Sequence, residues 1–492
     1  MTQRLTNEGW IKIAALPRNT IGPLGQSEND TIAAIGTAAG RGGIGIIRIS
    51  GGRAADIARA LFRPLRGAHR ANNSEFALKP HHLSYGILIN PADSEKVDEV
   101  LLAFMPAPHS YTREDVIEIQ CHGGNIVLHK ILGLVLMNGA RLAEGGEFTR
   151  RAFINGRIDL TQAEAVADLI NARSEGAMKM AARQLSGGLK KQIQGLIAHL
   201  RDMLADVEAE LEFSEDGVTG LTAGTITSAA LKERVIGPMR KIAESYQLGR
   251  ALKEGYRLAI VGKPNVGKSS LFNRLIEREK AIVTPFPGTT RDPVEASVTI
   301  ENIAIDFIDT AGMRQSHNPV ECIGIQKSQE AMQTVDLSLF VIESQAPLDD
   351  DDHRIFQQVH ESNMLLVVNK TDLLDSGDRP MLPMAYAQRD PVFISAKSGA
   401  GIDVLKKRIV QSCGLQGQGE CEAVICDLRH KVAIEAALGE ACHAAESIDQ
   451  NRPMDMLAMD LKHTLVQLQA IIGEGAAPDV LDAIFQKFCI GK

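Results

Sequence analysis

The stretch Gly262-Lys-Pro-Asn265-Val266-Gly267-Lys268-Ser269-Ser270 has the composition and spacing of a phosphate-binding loop. Its glycines let backbone N–H groups wrap phosphate oxygens. Lys268 is spaced to reach the β/γ oxygens, and the Ser269 hydroxyl to ligate magnesium. A β-rich run, 256–261, leads in and a helical pattern, 269–277, leads out, which distinguishes such a loop from a plain glycine turn. Asp309-Thr310-Ala311-Gly312 closes the strand-like run 303–308; its carboxylate suits a water-mediated magnesium contact and its glycine an N–H to the γ-phosphate. Asn369-Lys370-Thr371-Asp372 closes the apolar run 364–368. Asp372 can accept two hydrogen bonds from guanine N1 and N2, which adenine does not offer. Ser395-Ala396-Lys397 ends another short strand and can close over the base. Between loop and strand, Gly288-Thr289-Thr290-Arg-Asp292 reads as a switch whose Thr290 completes the magnesium shell. Taken in this order, each at a strand end, these strings specify GTP.

The hydrolytic groups are less explicit. Met313 stands after Gly312, where switch GTPases usually place a Gln that orients the attacking water. A thioether cannot do that, so another group is expected. Arg314 is adjacent, and Glu321 lies further along the same segment; a carboxylate can position water through a second water, and a solvated loop acid is the competing reading. No arginine finger is evident. The amide oxygen of Asn265 would instead help hold a monovalent cation where charge develops in the transition state. Phe488-Cys489-Ile-Gly-Lys492 suggests either a reactive thiol on a tail or a small apolar residue. Prenylation fits poorly with Gly491 and Lys492 and with no polybasic run ahead of them.

These groups need a scaffold, and 492 residues at 44% hydrophobic are enough for two to four cores. A net charge of −8 argues against a general nucleic-acid coat protein but leaves room for a local basic surface, such as the Lys/Arg-rich stretch 141–201. The seven cysteines are scattered without metal-ligand spacing, a reduced, cytoplasmic pattern. No apolar run reaches membrane-spanning length, so no membrane is expected as a partner. Residues 1–28 read as a loose extension. Residues 29–150 read as α/β, with strands at 31–35, 44–49, 83–89, 100–104 and 116–120 and helices at 54–61 and 126–138. Gly40-Arg-Gly-Gly-Ile-Gly45 matches the dinucleotide fingerprint literally, but a strand-like 46–49 follows it where a helix is required. Helical periodicity runs over about 160–211, 226–253, 423–448 and 454–488, giving helical segments at 151–254 and 414–492 on either side of a nucleotide domain at 255–413. The expectation is a multidomain α/β plus all-α chain. Two helical segments pack together, with a Ras-like P-loop GTPase domain inserted between them.

Further motifs carry a family resemblance: Arg41-Gly-Gly-Ile-Gly-Ile-Ile-Arg48-Ile-Ser-Gly51, Ser110-Tyr-Thr-Arg-Glu-Asp115, His122-Gly-Gly124, Gly146-Glu-Phe-Thr-Arg150, Ala152-Phe-Ile-Asn155, Asp159-Leu-Thr-Gln-Ala-Glu-Ala165 and the tail 488–492. With the GTPase strings, they resemble the bacterial MnmE (TrmE) family of tRNA-modification GTPases over nearly everything after residue 29. The resemblance implies that the N-terminal domain binds formyl-tetrahydrofolate and forms a homodimer, with Arg48, Glu118, Arg157 and Lys492 as folate residues. It implies magnesium at Ser269 and Thr290, and potassium at Asn265 and the loop Thr284-Pro285-Phe286-Pro287-Gly288-Thr289. Glu321 would orient water, and Cys489 would match the functional tail cysteine. It also implies a flavoprotein partner, MnmG. The two together place an aminomethyl or carboxymethylaminomethyl group on the wobble uridine of certain tRNAs. The alternatives are a ribosome-assembly GTPase, which would need an RNA-binding module such as a basic GXXG loop, and a prenylated signalling GTPase.

Overall fold

The computed structural model describes residues 30–65, 77–215, 227–277, 294–308, 335–359, 363–374, 380–414 and 424–492. The chain divides into two compact units, 1–157 with 476–492, and 158–475. Residues 476–492 thus pack with the first unit, where the sequence reading groups them with the second helical segment.

The first unit is built on a seven-stranded sheet ordered β3-β4-β5-β6-β2-β1-β7. The strands are β1 (Ile32–Ile35), β2 (Ile44–Ser50), β3 (Phe62–Pro64), β4 (Leu83–Ile89), β5 (Lys96–Met105), β6 (Val116–His122) and β7 (Arg141–Leu142). Neighbours are antiparallel except β1 and β7. The expected strands and both helices are present, and 44–50 is strand, as the rejection of the dinucleotide fingerprint requires. Alternation decides the faces. Ile47, Ile49, Ile117 and Ile119 are buried with Ile57, Leu61, Ile131 and Val135 of the helices Ala54–Leu61 and Asn125–Met137. Arg48 and Glu118, one residue out of phase, project from the other face and sit opposite each other in the β2–β6 register. Part of that face is closed by a small cluster of Ile32, Ala34, Ala143 and Phe148, the last from the helix Glu147–Ile154.

The second unit holds a six-stranded sheet ordered β13-β12-β11-β8-β10-β9 and a helical layer. Its strands are β8 (Tyr256–Val261), β9 (Val294–Ile300), β10 (Ile303–Ile308), β11 (Leu337–Glu343), β12 (Met364–Asn369) and β13 (Val392–Phe393). All pairings are parallel except the β9–β10 hairpin. The buried Val/Ile/Leu runs suit a sheet covered on both faces. Segments before and after this sheet in the chain share one helical core. Ile193, Leu196 and Leu200 of the helix Gly188–Glu215 pack with the helices Leu428–Asp449 and Met454–Ile472. Ala433, Ala437, Ala441, Ala444 and Ala445 line the buried stripe of Leu428–Asp449; their small side chains let Leu457, Leu461 and Leu468 approach closely. The single helical run expected over 454–488 is broken. Gly473 caps the first helix in the left-handed region (φ 89°), and Pro478 opens the helix Pro478–Phe485.

A buried polar network lies where the chain enters and leaves the nucleotide domain. Glu164 accepts from Arg429 at 3.1 and 3.0 Å and lies 2.9 Å from His430 Nε2. Lys253, just before β8, bridges Asp168 at 2.9 Å and Asp427 at 2.6 Å. Burial alone would raise the Glu164 carboxyl, but contacts with His430 and Arg429 outweigh it and hold the group at about 2 against an ordinary 4.5. A carboxyl depressed on folding stabilises the fold above its unfolded value, and that stability is lost as the pH falls through the folded value. Urea midpoints should therefore drop steeply between pH 4.5 and 2 in the wild type, and the drop should be shallower in Glu164→Gln, which has no such group to protonate.

Candidate functional site

The phosphate loop joins β8 to the helix Lys268–Glu277. Its backbone takes positive φ at Gly262 (148°), Asn265 (66°) and Gly267 (97°). At Gly262 a Cβ would strike the Val341 carbonyl, and at Gly267 it would strike the Asn369 amide, so both glycines are required by close approach. Lys268 donates to the carbonyls of Gly262 and Lys263 at 2.7 and 2.6 Å, which curls the loop around its ammonium group. Burial pulls its pKa below the ordinary lysine value. An anion at the loop would relieve that penalty, so the cradle fits a phosphate. Val266 is buried in the core below, while the hydroxyl-bearing Ser269 and Ser270 open the following helix.

Asn369, 2% exposed at the end of β12, ties this loop to the base side. Its amide donates to the Val266 carbonyl at 2.8 Å, and its Oδ1 accepts from the Ala396 N–H at 3.0 Å. Lys370 is left-handed (φ 64°) and pairs with Glu343 at 2.7 Å. Asp372 sits in the short turn Thr371–Leu373 and accepts from Ser395 Oγ at 2.6 Å; that bond holds its carboxyl below the usual range. The Ser395-Ala396-Lys397 loop is fixed from behind by Arg274, which donates to the Ala396 carbonyl at 3.0 Å and the Lys397 carbonyl at 2.6 Å. Gly267, Ser270, Asn369, Asp372, Ala396 and Lys397 line one cleft of about 530 Å³, within the range of small-molecule sites. The structure therefore gathers the phosphate-loop, Asn369–Asp372 and Ser395–Lys397 residues around a single space. An ionised, oriented carboxylate there can accept two parallel N–H donors. Residues Thr284, Pro285, Phe286, Pro287, Gly288, Thr289, Thr290, Asp309, Thr310, Ala311, Gly312, Arg314 and Glu321 lie outside the described residues.

In the first unit, Arg48 binds Glu118 at 2.8 and 2.9 Å and donates to the Gly491 carbonyl at 3.0 Å. The tail is laid across this face by backbone contacts. Ile490 bridges Gly145, the Gly146 N–H donates to the Cys489 carbonyl at 3.3 Å, and at Gly491 (φ 93°) a Cβ would strike the Ile35 carbonyl. Gly145 and Gly146 leave room for Phe488, whose ring sits 5.6 Å from Phe485. Cys489 is an exposed free thiol and Lys492 is half-buried. Arg157 stacks 4.7 Å over the Tyr111 ring and donates to the Tyr111 carbonyl at 3.1 Å, and Tyr111 packs on the Phe148 cluster. Guanidinium groups, a carboxylate and aromatic surface suit a flat, hydrogen-bonding ring with an anionic tail. Sequence reasoning missed Arg274, Tyr111 and Gly145 as supports. Their contacts join residues far apart in the chain, and only the paired glycines carried any local signal.

Residues 31–157 match the family model described as GTP-binding protein TrmE N-terminus, and 160–489 match that of the MnmE helical domain. The chain is 41% identical over 467 residues to the tRNA modification GTPase MnmE of Carboxydothermus hydrogenoformans, covering 94% of this chain and 99% of that protein. It is also 41% identical over 472 residues to the tRNA modification GTPase MnmE of Acetivibrio thermocellus, covering 94% and 100%. Among the described residues no helix is long and apolar enough to cross a membrane.

Proposed function

The chain belongs to the MnmE family of tRNA modification GTPases, and from that premise we propose that it couples GTP hydrolysis to remodelling of the wobble uridine of certain tRNAs. It adds an aminomethyl or carboxymethylaminomethyl group, drawing the one-carbon unit from formyl-tetrahydrofolate and working as a homodimer with a flavoprotein partner, MnmG. The observation that carries this reading is the tail. Gly491 accepts from Arg48 and Ile490 bridges Gly145, so an exposed cysteine lies two positions from the Arg48 contact, beside groups suited to a folate. Arg48, Glu118, Arg157 and Lys492 are the folate residues in this reading. Asp372 reads guanine, and Lys268 neutralises the phosphates. Ser269 and Thr290 would hold magnesium, which supplies charge at the β/γ oxygens. Glu321 orients water, with Arg314 beside it. Nucleoside mass spectrometry of tRNA from a strain lacking this gene should show loss of the wobble modification. Unchanged wobble uridines would overturn the reading and return the ribosome-assembly alternative.

Potassium, held by Asn265 with Thr284, Phe286 and Thr289, takes the place of an arginine finger in this proposal. Replacing sodium by potassium should then raise the GTPase rate tenfold or more, on the order of 1.4 kcal/mol of barrier. Asn265 sits in the phosphate loop in a left-handed conformation (φ 66°), and in this reading Asn265→Ala should erase most of the difference. Equal rates in the two salts would remove the cation from the mechanism.

A further inference from the structure

The β9–β10 hairpin joins the candidate switch Gly288–Asp292 to the motif Asp309–Gly312: β9 begins right after 278–293, and β10 runs directly into Asp309 in the chain. The hairpin is the described stretch of chain between them. Two features of the preceding helical segment meet it. Arg173 sets its guanidinium fork on Asp306 at 2.9 and 2.7 Å and donates to Ser297 Oγ at 2.8 Å; that hydroxyl in turn donates to the same carboxylate. Gly176, in the first turn of the helix Glu175–Leu185, lies so close to the hairpin tip that a Cβ there would strike the Asn302 carbonyl. The tip residues Glu301 and Asn302 are both left-handed (φ 45° and 71°), the conformation of a tight two-residue turn, so the hairpin is a stiff piece.

Asp306 is only 5% exposed. Without the fork its charge would be left in the interior, which is costly, and the strand would have to shift to hydrate it. A shift of 1 Å near reacting groups is enough to slow a reaction by roughly two orders of magnitude. We propose that Arg173 is a positioning residue for GTP hydrolysis: by gripping Asp306 it holds the hairpin that links the candidate switch to the Asp309–Gly312 motif, and so couples the helical segment to the nucleotide site. The inference rests on GTP hydrolysis by this chain.

In the full chain, Arg173→Met keeps the aliphatic stem and removes the fork. It should lower kcat about tenfold or more while leaving KM and the affinity for a fluorescent GDP within about twofold. Asp306→Asn should do the same, and the double variant should be no slower than either single one, as for two groups acting through one contact. Gly176→Ala leaves both charges in place but presses on the hairpin tip, and should also lower kcat. Binding stoichiometry counts folded sites, so a variant that merely folds poorly would show fewer sites turning over at the normal rate. Normal turnover per site in Arg173→Met, or single effects that multiply in the double variant, would overturn the coupling. A wild-type chain that turned over no GTP would instead overturn the GTPase reading itself.

Discussion

In the proposed function, Cys489→Ser should abolish wobble-uridine modification, by two orders of magnitude or more, while GTP hydrolysis and the oligomeric state stay within about twofold of wild type. The main chain at this position is held by contacts that do not use the thiol. The Cys489 carbonyl accepts from Gly146, Ile490 pairs with Gly145, and Phe488 is anchored beside Phe485. The side chain itself is exposed. A serine hydroxyl fits the same space without strain, so the fold has no reason to change. What changes is chemical. Sulfur is a far stronger nucleophile than a hydroxyl that no general base activates. Nucleoside mass spectrometry on tRNA from cells carrying only the variant reads the effect, with GTP turnover and gel filtration as controls. Full modification in Cys489→Ser would make this residue an ordinary tail cysteine and leave the tail as a purely structural strap.

The second large effect is expected at Asp372. Losing the match of two hydrogen bonds to a carboxylate should cost on the order of a hundredfold in affinity. The carboxylate is pre-set for this by the 2.6 Å bond from Ser395 Oγ, so little ordering is required on binding. Asp372→Asn replaces one acceptor oxygen with a donor, which opposes guanine N2 but matches the C2 carbonyl of xanthine. GTP affinity should fall about a hundredfold, and XTP should become the better ligand. Titration calorimetry with both nucleotides measures it. Unchanged GTP affinity with no gain for XTP would mean that the base is read elsewhere in the cleft.

The nucleotide domain was legible because its loops are constrained residue by residue. Gly262 and Gly267 abut Val341 and Asn369, and only glycine fits. The strands of the first unit were legible because one face is buried and the other is not, which writes a period of two into the sequence. Edge strands β3 and β7, of three and two residues, are too short to carry a period. The attachment of 476–492 to the first unit was not legible either. It depends on Phe485 and Phe488 meeting Phe153 and the Gly145–Gly146 corner, and an aromatic residue in an amphipathic helix does not declare which core it enters. Arg173 and Asp306 are 133 positions apart, and neither stands in a motif. Charges that meet by tertiary packing leave no trace in local sequence.

The tail strap also bears on how the protein is made. The sheet of the first unit leaves the ribosome early, yet the residues that complete its Arg48 face, 489–492, come after the whole of 158–475. At elongation rates of about 5–20 residues per second that interval is roughly tens of seconds. During translation the nascent first unit exists with that face uncovered, exposing Gly145, Gly146 and the Arg48–Glu118 pair. The long loop adds little to the equilibrium cost of closure, because that cost grows only logarithmically with length. The delay is kinetic: the Arg48 face is completed only after 158–475 has been made.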